Sequence, residues 1–317
     1  MKLALNSIAT YLPEKVLTND DLSKTLDTSH EWIYTRTGIE RRHIVENETA
    51  ADIGYKAAIK TLEQAGKNPE DVDAIIVSTT THDQHFPSCE AKIQNLLGAH
   101  NAFALDVNAA CAGFIYGLSV ADGLIKTLNK NNVLLICTEV LTKHVDWSDR
   151  ATCVLFGDGA GALLFEKQSD ISKGIIGTNL KADATGEKYG YILSCDPSKE
   201  EKTYMTMNGR AVFKHAIDNM ATSMLDLLNE HNMTLDDVDW IVPHQANRRI
   251  IESMCKMYEL PEEKVVITTG NHANTSSASI PLAIRTAMDD GRIKPGQTLL
   301  LSALGAGFVW GSAILKL

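Results

Sequence analysis

Cys111 has the sequence context of a nucleophilic cysteine. It lies in DVNAACAGFIYGLS, where a predicted strand ends in a turn of small residues and an apolar helix begins near the cysteine. The unpaired N–H groups and the positive end of such a helix favour the thiolate, which is the reactive form. Most cysteines are buried structural thiols, but Ala109, Ala110, Ala112 and Gly113 leave room for a substrate beside this sulfur.

A histidine and an asparagine follow predicted strands in the second half of the chain. His244 comes directly after WIVP, at a strand end, where α/β sheets usually place ligands. Asn274 lies in the polar segment GNHANTS, at the position that the loop of Cys111 occupies in the first half. A histidine alone is more often structural, so the hypothesis depends on the three residues meeting. If a pseudo-twofold axis relates the halves, their loops converge on one pocket.

The segment Gly305-Ala306-Gly307 could supply a further catalytic group. Glycine permits close approach of the backbone, which can then offer an amide N–H to a developing oxyanion. A tight turn before the last strand is the structural alternative, and it is compatible with that role.

The elements that would position these residues are repeated along the chain. PEDVDAIIVSTTT (69–81) resembles TLDDVDWIVPHQA (234–246), and each is a polar turn leading into an apolar strand. Two copies of one α/β unit is the simpler interpretation, and chance similarity is the alternative. The other matching segments are 101–107 with 264–270 (both predicted strands), 122–126 with 290–294, 133–140 with 298–304, and 157–165 with 305–315.

Strands that alternate with helices predict sheets covered by helices. Two fused units then predict a duplicated, layered α-β-α-β-α sandwich, with a first half at 1–170 that carries the cysteine and a second half at 171–317 that carries the histidine and asparagine. The glycine-containing stretch 166–233 is predicted to be a linker with surface loops. Within it, 212–232 has helical periodicity and should begin the second half.

Composition excludes several function classes. A chain of 317 residues with 44% apolar residues can bury a large core, and a formal charge of -10 disfavours nucleic acid or anionic lipid as the main partner. No apolar run approaches a membrane span, and the start MKLALNSIATYLPE is unlike a signal peptide, so a cytoplasmic protein is expected. The cysteines form no CxxC pair that would suggest a disulfide framework or a zinc site; they are residues 89, 111, 137, 153, 195 and 255.

Four segments together resemble the β-ketoacyl-acyl carrier protein synthase III family, which initiates bacterial type II fatty-acid synthesis. They are DVNAACAGF, VPHQANRRI, GNHANTSSAS and GAGFVWGSA. The resemblance covers essentially the whole chain, from YLPEKVLTNDDL and DTSHEWIYTRTGIERRHI to the last strand. The order cysteine, histidine, asparagine, with HQAN around the histidine, distinguishes this branch from relatives that use a cysteine and two histidines.

The resemblance implies a thiolase-type fold and a ping-pong reaction. Cys111 would take an acyl group from acyl-coenzyme A (acyl-CoA), typically acetyl-CoA, and malonyl-acyl carrier protein would then bind. His244 and Asn274 would stabilise the enolate left by loss of CO₂, and the backbone N–H groups of Cys111 and Ala306 would form an oxyanion hole. The chemistry needs no metal and no cofactor, since both thioesters are substrates. Alanine replaces a common family glycine at Ala306 and at Ala273, which makes the pocket geometry there a point to test.

The resemblance also implies binding residues for CoA. Trp32 would stack on the adenine, with Arg150 on the opposite face and Arg36 near the phosphates. Packing of the indole and a solvated ion pair for the arginines are the structural alternatives. Other residues match positions that line the pantetheine tunnel of the family; they are Thr28, Gly209, Phe213, Ala246 and Asn247.

Docking of an acidic acyl carrier protein requires a local basic patch on this acidic chain. Arg249 and Lys256 are seven residues apart on a predicted helix, and Lys214 and Arg248 are expected neighbours, although such charges often form only a solvated face. Phe86 matches a family residue that crosses a homodimer interface to cap the partner's acyl pocket, where a bulky ring favours a short primer. Simple core packing is the alternative for Phe86.

Three other functions remain open at this point. A condensing enzyme of specialised metabolism could use the same triad on another acyl donor. A thioester hydrolase could use Cys111 and His244 as nucleophile and base without releasing CO₂. A non-catalytic acyl-binding or scaffold protein would tolerate loss of the thiol.

Overall fold

The computed structural model describes residues 2–128, 130–184 and 204–317. Cys195 and part of the predicted linker therefore lie outside the described residues. The predicted α/β class and layered architecture are confirmed: two mixed sheets and three layers of helices form an α-β-α-β-α sandwich.

The first sheet carries the strands of the first half. Its order is β1 (Lys2–Tyr11), β7 (Asp158–Gln168), β6 (Asn132–Val140), β4 (Ala74–Ser78) and β5 (Phe103–Val107). Strand β4 is parallel to both of its neighbours, and every one of its residues, AIIVS, is buried. A continuous apolar run is typical of a strand covered on both faces.

The second sheet repeats the arrangement in the order β8 (Gly174–Ala182), β11 (Val309–Lys316), β10 (Thr298–Gly305) and β9 (Trp240–Pro243). The pairs β1 and β8, β7 and β11, β6 and β10, and β4 and β9 occupy equivalent places. The first sheet uses residues 2–168 and the second 174–316. We propose that the two halves meet between residues 170 and 171, as their sequence similarity suggests.

The strand predicted at 264–270 does not form. Only a bridge between Ile241 and Val265 remains of it, and α8 (Thr269–His272) occupies its end. The side chain of Gln245 is the physical reason. It accepts a hydrogen bond from the Thr268 N–H at 2.7 Å and donates to the Val266 carbonyl at 3.1 Å, so it takes the place of a neighbouring strand.

Helices fill the three helical layers. Helices α3 (Ala50–Ala65) and α4 (Cys89–Leu97) cover the outer face of the first sheet. Helices α6 (Gly209–Glu230) and α7 (Arg248–Met257) cover the second, and α6 corresponds to the helix predicted at 212–232. Helices α5 (Gly113–Leu128) and α9 (Ser279–Asp289) lie between the sheets. Outside the layers are α1 (Asn19–Leu22), α2 (His30–Thr37), β2 (Val16–Thr18) and β3 (Arg41–His43).

One helix in the described residues, Ala110–Leu128, is long and apolar enough by composition to cross a membrane. The segment contains Asp122 and Lys126, so it is not a continuous apolar run. In the structure this segment includes α5, whose residues Phe114, Ile115 and Leu118 are fully buried in the core between the sheets. Its apolar composition is accounted for by that packing, which covers it with protein on both sides.

Gly174 and Gly177 of the predicted linker mark close packing rather than a loop, because β8 occupies this part of it. A Cβ at Gly174 would lie 2.3 Å from the Leu3 carbonyl oxygen, and its φ of +92° disfavours other residues. A Cβ at Gly177 would lie 2.0 Å from Nε2 of His231. The linker prediction was therefore wrong for residues 174–182.

Candidate active site

A cavity of about 380 Å³ brings together residues from both halves of the chain. Cys111, His244 and Asn274 all line it. Six other residues predicted for the site also line it: Trp32, Arg36, Gly209, Phe213, Ala246 and Asn247. Ala306 lies on its wall as well, whereas Thr28, Phe86 and Arg150 do not.

Cys111 lies in a 3-10 turn, Ala110–Ala112, directly before α5. Ala110 has a left-handed φ of 45°, a conformation that costs energy for alanine and that turns the chain sharply before the nucleophile. Gly305 at the end of β10 packs on this turn. A Cβ there would lie 2.8 Å from the Cys111 nitrogen and 2.8 Å from the Ala109 oxygen, so only glycine fits.

The environment of the Cys111 thiol differs from the one predicted. Burial raises its pKa to about 12, and the negative charge of Glu139 acts in the same direction. Hydrogen bonds from Ser276 and from its own backbone N–H oppose this rise. Burial therefore acts against the thiolate form that the start of the helix was expected to favour.

His244 is held as a neutral imidazole. Its backbone N–H donates to the Ser302 carbonyl at 2.8 Å, which fixes it at the end of β9, and burial lowers the ring pKa to about 3. Nδ1 lies 2.6 Å from the Ser279 hydroxyl, which also accepts the Gln245 N–H at 3.3 Å. The Ser279 hydroxyl can donate its own proton to Nδ1, and in that arrangement the ring hydrogen resides on Nε2.

Asn274 is held by backbone and side-chain hydrogen bonds. Its N–H donates to the Leu155 carbonyl at 2.9 Å, and its carbonyl accepts the Gly157 N–H at 3.0 Å. The Ser276 N–H donates to the Asn274 Oδ1 at 2.9 Å. With the amide oxygen thus engaged, the NH₂ group is the side of the amide available as a donor.

The two alanines that replace family glycines behave differently. Ala273 adopts a φ of 57° and a ψ of -159°, a region that favours glycine, so the loop before Asn274 carries local strain of about 1 to 3 kcal/mol. Ala306 is not among the residues with a positive φ in the described parts of the chain. The alanine at 306 therefore introduces no left-handed strain.

Trp32 lies on α2, which Ser29 caps by accepting the Trp32 N–H at 3.1 Å. The guanidinium carbons of Arg36 and Arg150 lie 4.5 and 5.1 Å from the centre of the indole ring. Arg150 also forms an ion pair with Asp27 at 3.2 Å. At this spacing no base fits between Trp32 and Arg150, so adenine binding would move the arginine outward.

Helix α7 carries most of the predicted docking residues. Asn247 caps it by accepting the Arg249 N–H at 2.8 Å, and also donates to the Arg36 carbonyl at 3.2 Å. Arg248 forms an exposed ion pair with Glu252 at 2.6 Å, which neutralises part of its charge. The Arg249 guanidinium lies 6.0 Å from the Phe213 ring. The four predicted basic residues, Lys214, Arg248, Arg249 and Lys256, are all exposed.

Phe86 and Thr28, like Arg150, lie outside the cavity wall. Phe86 is 91% exposed, which contradicts the alternative that it packs in the core of its own chain. The hydroxyl of Thr28 is buried and has no hydrogen-bond partner in the described structure.

Several residues of the site were not singled out from the sequence. Ser279 contacts His244, and Ser276 contacts Asn274. The buried Glu139 on β6 accepts a hydrogen bond from the neighbouring Ser277 hydroxyl at 2.9 Å. The serine-rich run TSSAS was the available signal for these serines. Apolar side chains that also line the cavity are Val154, Leu155, Phe156, Met205, Met207, Val212, Ala216, Met220, Ile250 and Leu304.

Comparisons with known proteins agree with this site. Residues 105–184 match the family model described as 3-oxoacyl-[acyl-carrier-protein (ACP)] synthase III, and residues 228–317 match the model of its C-terminal part. The chain is 47% identical over 312 residues to a β-ketoacyl-[acyl-carrier-protein] synthase III of Xanthomonas euvesicatoria, an alignment that covers 96% of this chain and 95% of the relative.

Solved structures show the same fold. The crystal structure of 3-oxoacyl-[acyl-carrier-protein] synthase III from Aquifex aeolicus VF5 aligns with a TM-score of 0.93 and 39% identity, over 99% of this chain and 100% of that one. A priming β-ketosynthase of the R1128 polyketide pathway aligns with a TM-score of 0.94 and 33% identity, over 99% of this chain and 96% of that one. The chain therefore belongs to the β-ketoacyl-acyl carrier protein synthase III family, whose members are condensing acyltransferases of the thiolase fold.

Proposed function

We propose that this chain condenses acetyl-CoA, or another short acyl-CoA, with malonyl-acyl carrier protein through an acyl-Cys111 intermediate, and so initiates fatty-acid elongation. The observation that carries the proposal is that Cys111, His244 and Asn274, which are far apart in sequence, line one cavity together with Trp32.

In the first half-reaction, the Cys111 sulfur attacks the thioester carbonyl of the acyl-CoA. The bond between the carbonyl carbon and the Cys111 sulfur forms, and the bond to the CoA sulfur breaks. The proton lost by the Cys111 thiol goes to solvent, and the departing CoA sulfur takes one up. The backbone N–H groups of Cys111 and Ala306 would stabilise the oxyanion. The close packing of the Gly305 backbone on the turn of Cys111, where no Cβ would fit, supports this pairing. One such donor contributes about 3 to 4 kcal/mol to lowering a barrier.

In the second half-reaction, malonyl-acyl carrier protein loses CO₂ and becomes an enolate. The Nε2–H of His244 and the NH₂ of Asn274 would donate to the enolate oxygen, a role supported by their contacts with Ser279 and Ser276. The carbanion then attacks the acyl-Cys111 carbonyl, and the sulfur leaves as the β-ketoacyl product forms. Side chains and substrates supply every step, so we propose that no cofactor takes part.

Trp32, Arg36 and Arg150 would hold the CoA nucleotide, and Thr28, Gly209, Phe213, Ala246 and Asn247 would lie along its pantetheine arm. The stack of two guanidinium groups on one indole supports the first assignment. The carrier protein would dock on Arg249 and Lys256 of α7, with Lys214 and Arg248 beside them. Their exposure supports this assignment.

We propose further that the protein is a cytoplasmic homodimer that does not bind membranes. The aromatic ring of Phe86 is 91% exposed, which leaves it available for a contact with a second subunit. In such a dimer Phe86 would close the acyl pocket of the partner subunit. Sedimentation velocity of the wild type and of Phe86→Ser would test the subunit contact.

The proposal is tested by incubating the protein with acetyl-CoA and malonyl-acyl carrier protein and following both CO₂ and the β-ketoacyl product. We expect the two to appear in equal amounts, and we expect Cys111→Ser to abolish both, while the matched Cys255→Ser, which does not line the cavity, retains them. Hydrolysis of acetyl-CoA without CO₂ release would instead indicate a thioesterase.

A specialised-metabolite condensing enzyme is the second candidate, and the likeness to the R1128 priming ketosynthase favours it. The same assay separates the two if a panel of acyl-CoA donors is used. Preference for acetyl-CoA supports the fatty-acid role, and preference for another donor supports the alternative.

A further inference from the structure

Glu139 on β6 is a fully buried carboxylate near the site, and the reaction as described above assigns it no task. Its Oε2 accepts hydrogen bonds from the Thr80 N–H at 3.1 Å, from the Thr80 hydroxyl at 3.0 Å and from the Thr81 hydroxyl at 3.0 Å. Its Oε1 accepts the Ser277 hydroxyl at 2.9 Å. Glu139 thus joins the turn after β4, in the first half of the chain, to the segment that follows Asn274 in the second half.

Hydrogen bonds fix Glu139 from the side of the first half. The Thr81 hydroxyl that donates to Glu139 also accepts the Val140 N–H at 2.8 Å, and the Thr81 N–H donates to the Thr79 hydroxyl at 3.1 Å. Oε2 therefore lies against a turn that is itself bonded to β6. Burying a carboxylate costs free energy unless hydrogen bonds satisfy it, so these donors also hold Glu139 in place. Oε1 is the oxygen that reaches the second half.

Ser277 belongs to the turn that holds the Asn274 amide. Residues Ser276–Ala278 form a buried 3-10 turn. In this turn the Ser276 N–H donates to the Asn274 Oδ1 at 2.9 Å. Because Ser276 and Ser277 are adjacent, a shift of Ser277 would move the N–H group that fixes the direction of the Asn274 side chain.

Ser277 also lies against the helix that follows the nucleophile. It is fully buried, and its hydroxyl is 3.3 Å from the Ser78 carbonyl oxygen at the end of β4. A Cβ on Gly113, the first residue of α5, would lie 3.4 Å from the Ser277 Cβ and would collide with the Ser78 hydroxyl. The start of α5, two residues after Cys111, therefore packs directly on Ser277.

The chain on both sides of Asn274 is held in a strained form. Ala273 and Ser276 have left-handed φ values of 57° and 51°. Such conformations cost about 1 to 3 kcal/mol each for residues other than glycine, and they persist only where the surrounding structure imposes them. The strain at Ser276 therefore requires a constraint nearby, and the hydrogen bond from Ser277 to Glu139 supplies one.

We propose that Glu139 is a positioning residue, which through Ser277 holds the Asn274 amide with its NH₂ group towards the cavity. Neither Glu139 nor Ser277 lines the cavity, so neither touches the reacting atoms. The direction of a hydrogen-bond donor in the second half thus depends on a carboxylate of the first half. The importance of that donor for the reaction rests on the proposed function, in which Asn274 stabilises the enolate.

Ser277→Ala tests the proposal because it removes the link and leaves Glu139 bonded to Thr80 and Thr81. We expect CO₂ release from malonyl-acyl carrier protein to fall about tenfold, which is less than the loss expected for removing a whole donor. Acylation of Cys111 by acetyl-CoA, read by intact mass, should change by less than about twofold. A role in stability alone would not separate the two half-reactions.

Glu139→Gln is the conservative variant. Its amide oxygen can accept from Thr80 and Thr81 while its NH₂ group donates to the Ser277 hydroxyl, which retains the Ser78 carbonyl as an acceptor. We therefore expect Glu139→Gln to keep CO₂ release within about threefold of the wild type. Glu139→Ala, which has neither group, should lose at least as much as Ser277→Ala.

Ser223→Ala is the matched control, since it removes another fully buried hydroxyl, which donates to the Asn179 side chain at 2.7 Å and does not line the cavity. It should leave both half-reactions unchanged. Pairing Ser277→Ala with Asn274→Ala gives a sharper test. If Ser277 acts through Asn274, Ser277→Ala should lower CO₂ release by less than about twofold in the Asn274→Ala background, whereas independent effects would multiply.

Equal losses in the two half-reactions of Ser277→Ala, or its full loss of CO₂ release in the Asn274→Ala background, would overturn the proposal. If Asn274→Ala itself releases CO₂ normally, the proposed function fails, and hydrogen exchange then tests the positioning without any substrate. The Ser276 N–H, followed by mass spectrometry of peptides that cover residues 274–278, should exchange about tenfold faster in Ser277→Ala than in the wild type. Unchanged exchange would contradict the positioning role.

Discussion

The Ser279 hydroxyl lies 2.6 Å from Nδ1 of His244, although the two residues are 35 positions apart in sequence. Ser279 is the first residue of α9, in the helical layer between the sheets, and His244 follows β9 of the second sheet. The contact therefore ties the imidazole to the core of the molecule. When the hydroxyl donates to Nδ1, the ring hydrogen lies on Nε2, which is the form that the proposed enolate stabilisation requires.

Replacing His244 or Asn274 by alanine should impair decarboxylation far more than acylation. Each removes one donor to the enolate oxygen, so we expect CO₂ release from malonyl-acyl carrier protein to fall about 100- to 1,000-fold. Loading of Cys111 by acetyl-CoA, read by intact mass in the same preparations, should change only a few-fold. Normal acyl-enzyme together with unchanged CO₂ release would contradict the assigned roles.

Trp32→Ala should weaken acyl-CoA binding without slowing the chemical step. Loss of an aromatic stacking surface costs about 1 to 2 kcal/mol, so we expect the KM for acetyl-CoA to rise about 5- to 30-fold with little change in kcat. Trp147→Ala is the matched control, because Trp147 is partly exposed and does not line the cavity. Equal KM values for Trp32→Ala and the wild type would remove Trp32 from the binding site.

Charge reversal at Arg249 should affect only the step that uses the carrier protein. We expect Arg249→Glu to raise the KM for malonyl-acyl carrier protein about tenfold at low salt, with a smaller effect at high salt because exposed charges are screened. Lys60→Glu, on α3 at the other side of the molecule, should leave this KM unchanged. If acylation by acetyl-CoA fell as strongly in Arg249→Glu, the residue would belong to the CoA site instead.

His272 should make the fold sensitive to acid. Burial lowers its pKa to about 4, below the value of 6.5 expected in the unfolded chain, so the unfolded state binds the proton first. The unfolding free energy therefore decreases as the pH falls from about 6.5 towards 4. At pH 5 this group lowers it by about 2 kcal/mol.

Urea unfolding at pH 7 and pH 5 measures this contribution. The difference in unfolding free energy between the two pH values should shrink in His272→Gln, which keeps a side chain of similar size without titrating. His100 is exposed, so His100→Gln should leave that difference in unfolding free energy unchanged. An identical loss in the wild type and in His272→Gln would show that other groups govern the acid response.

Much of the fold was readable from local patterns. The apolar runs of β4 and β9, each preceded by a polar turn, predicted two equivalent strands, and those strands occupy equivalent places in the two sheets. The strand predicted at 264–270 failed because Gln245, from a different segment, takes the backbone groups that a neighbouring strand would pair. Such competition from a distant side chain leaves no local signal.

The candidate site was predictable only in part. The residue types and loops around Cys111, His244 and Asn274 identified them, because small residues and strand ends are visible in the sequence. The raised pKa of Cys111 was not visible, since it depends on burial and on Glu139, which lies on another strand. Ser279 and Glu139 contact residues that lie 35 and 138 positions away in the sequence, and no spacing rule connects them.

The most direct test of the account is intact-protein mass spectrometry after brief incubation with acetyl-CoA, followed by a chase with malonyl-acyl carrier protein. We predict one acetyl group per chain, located on Cys111 by peptide mapping, which disappears in the chase as β-ketoacyl-carrier protein and CO₂ appear. An acetyl group on another residue, or one on Cys111 that the chase releases only as acetate, would contradict the central claim.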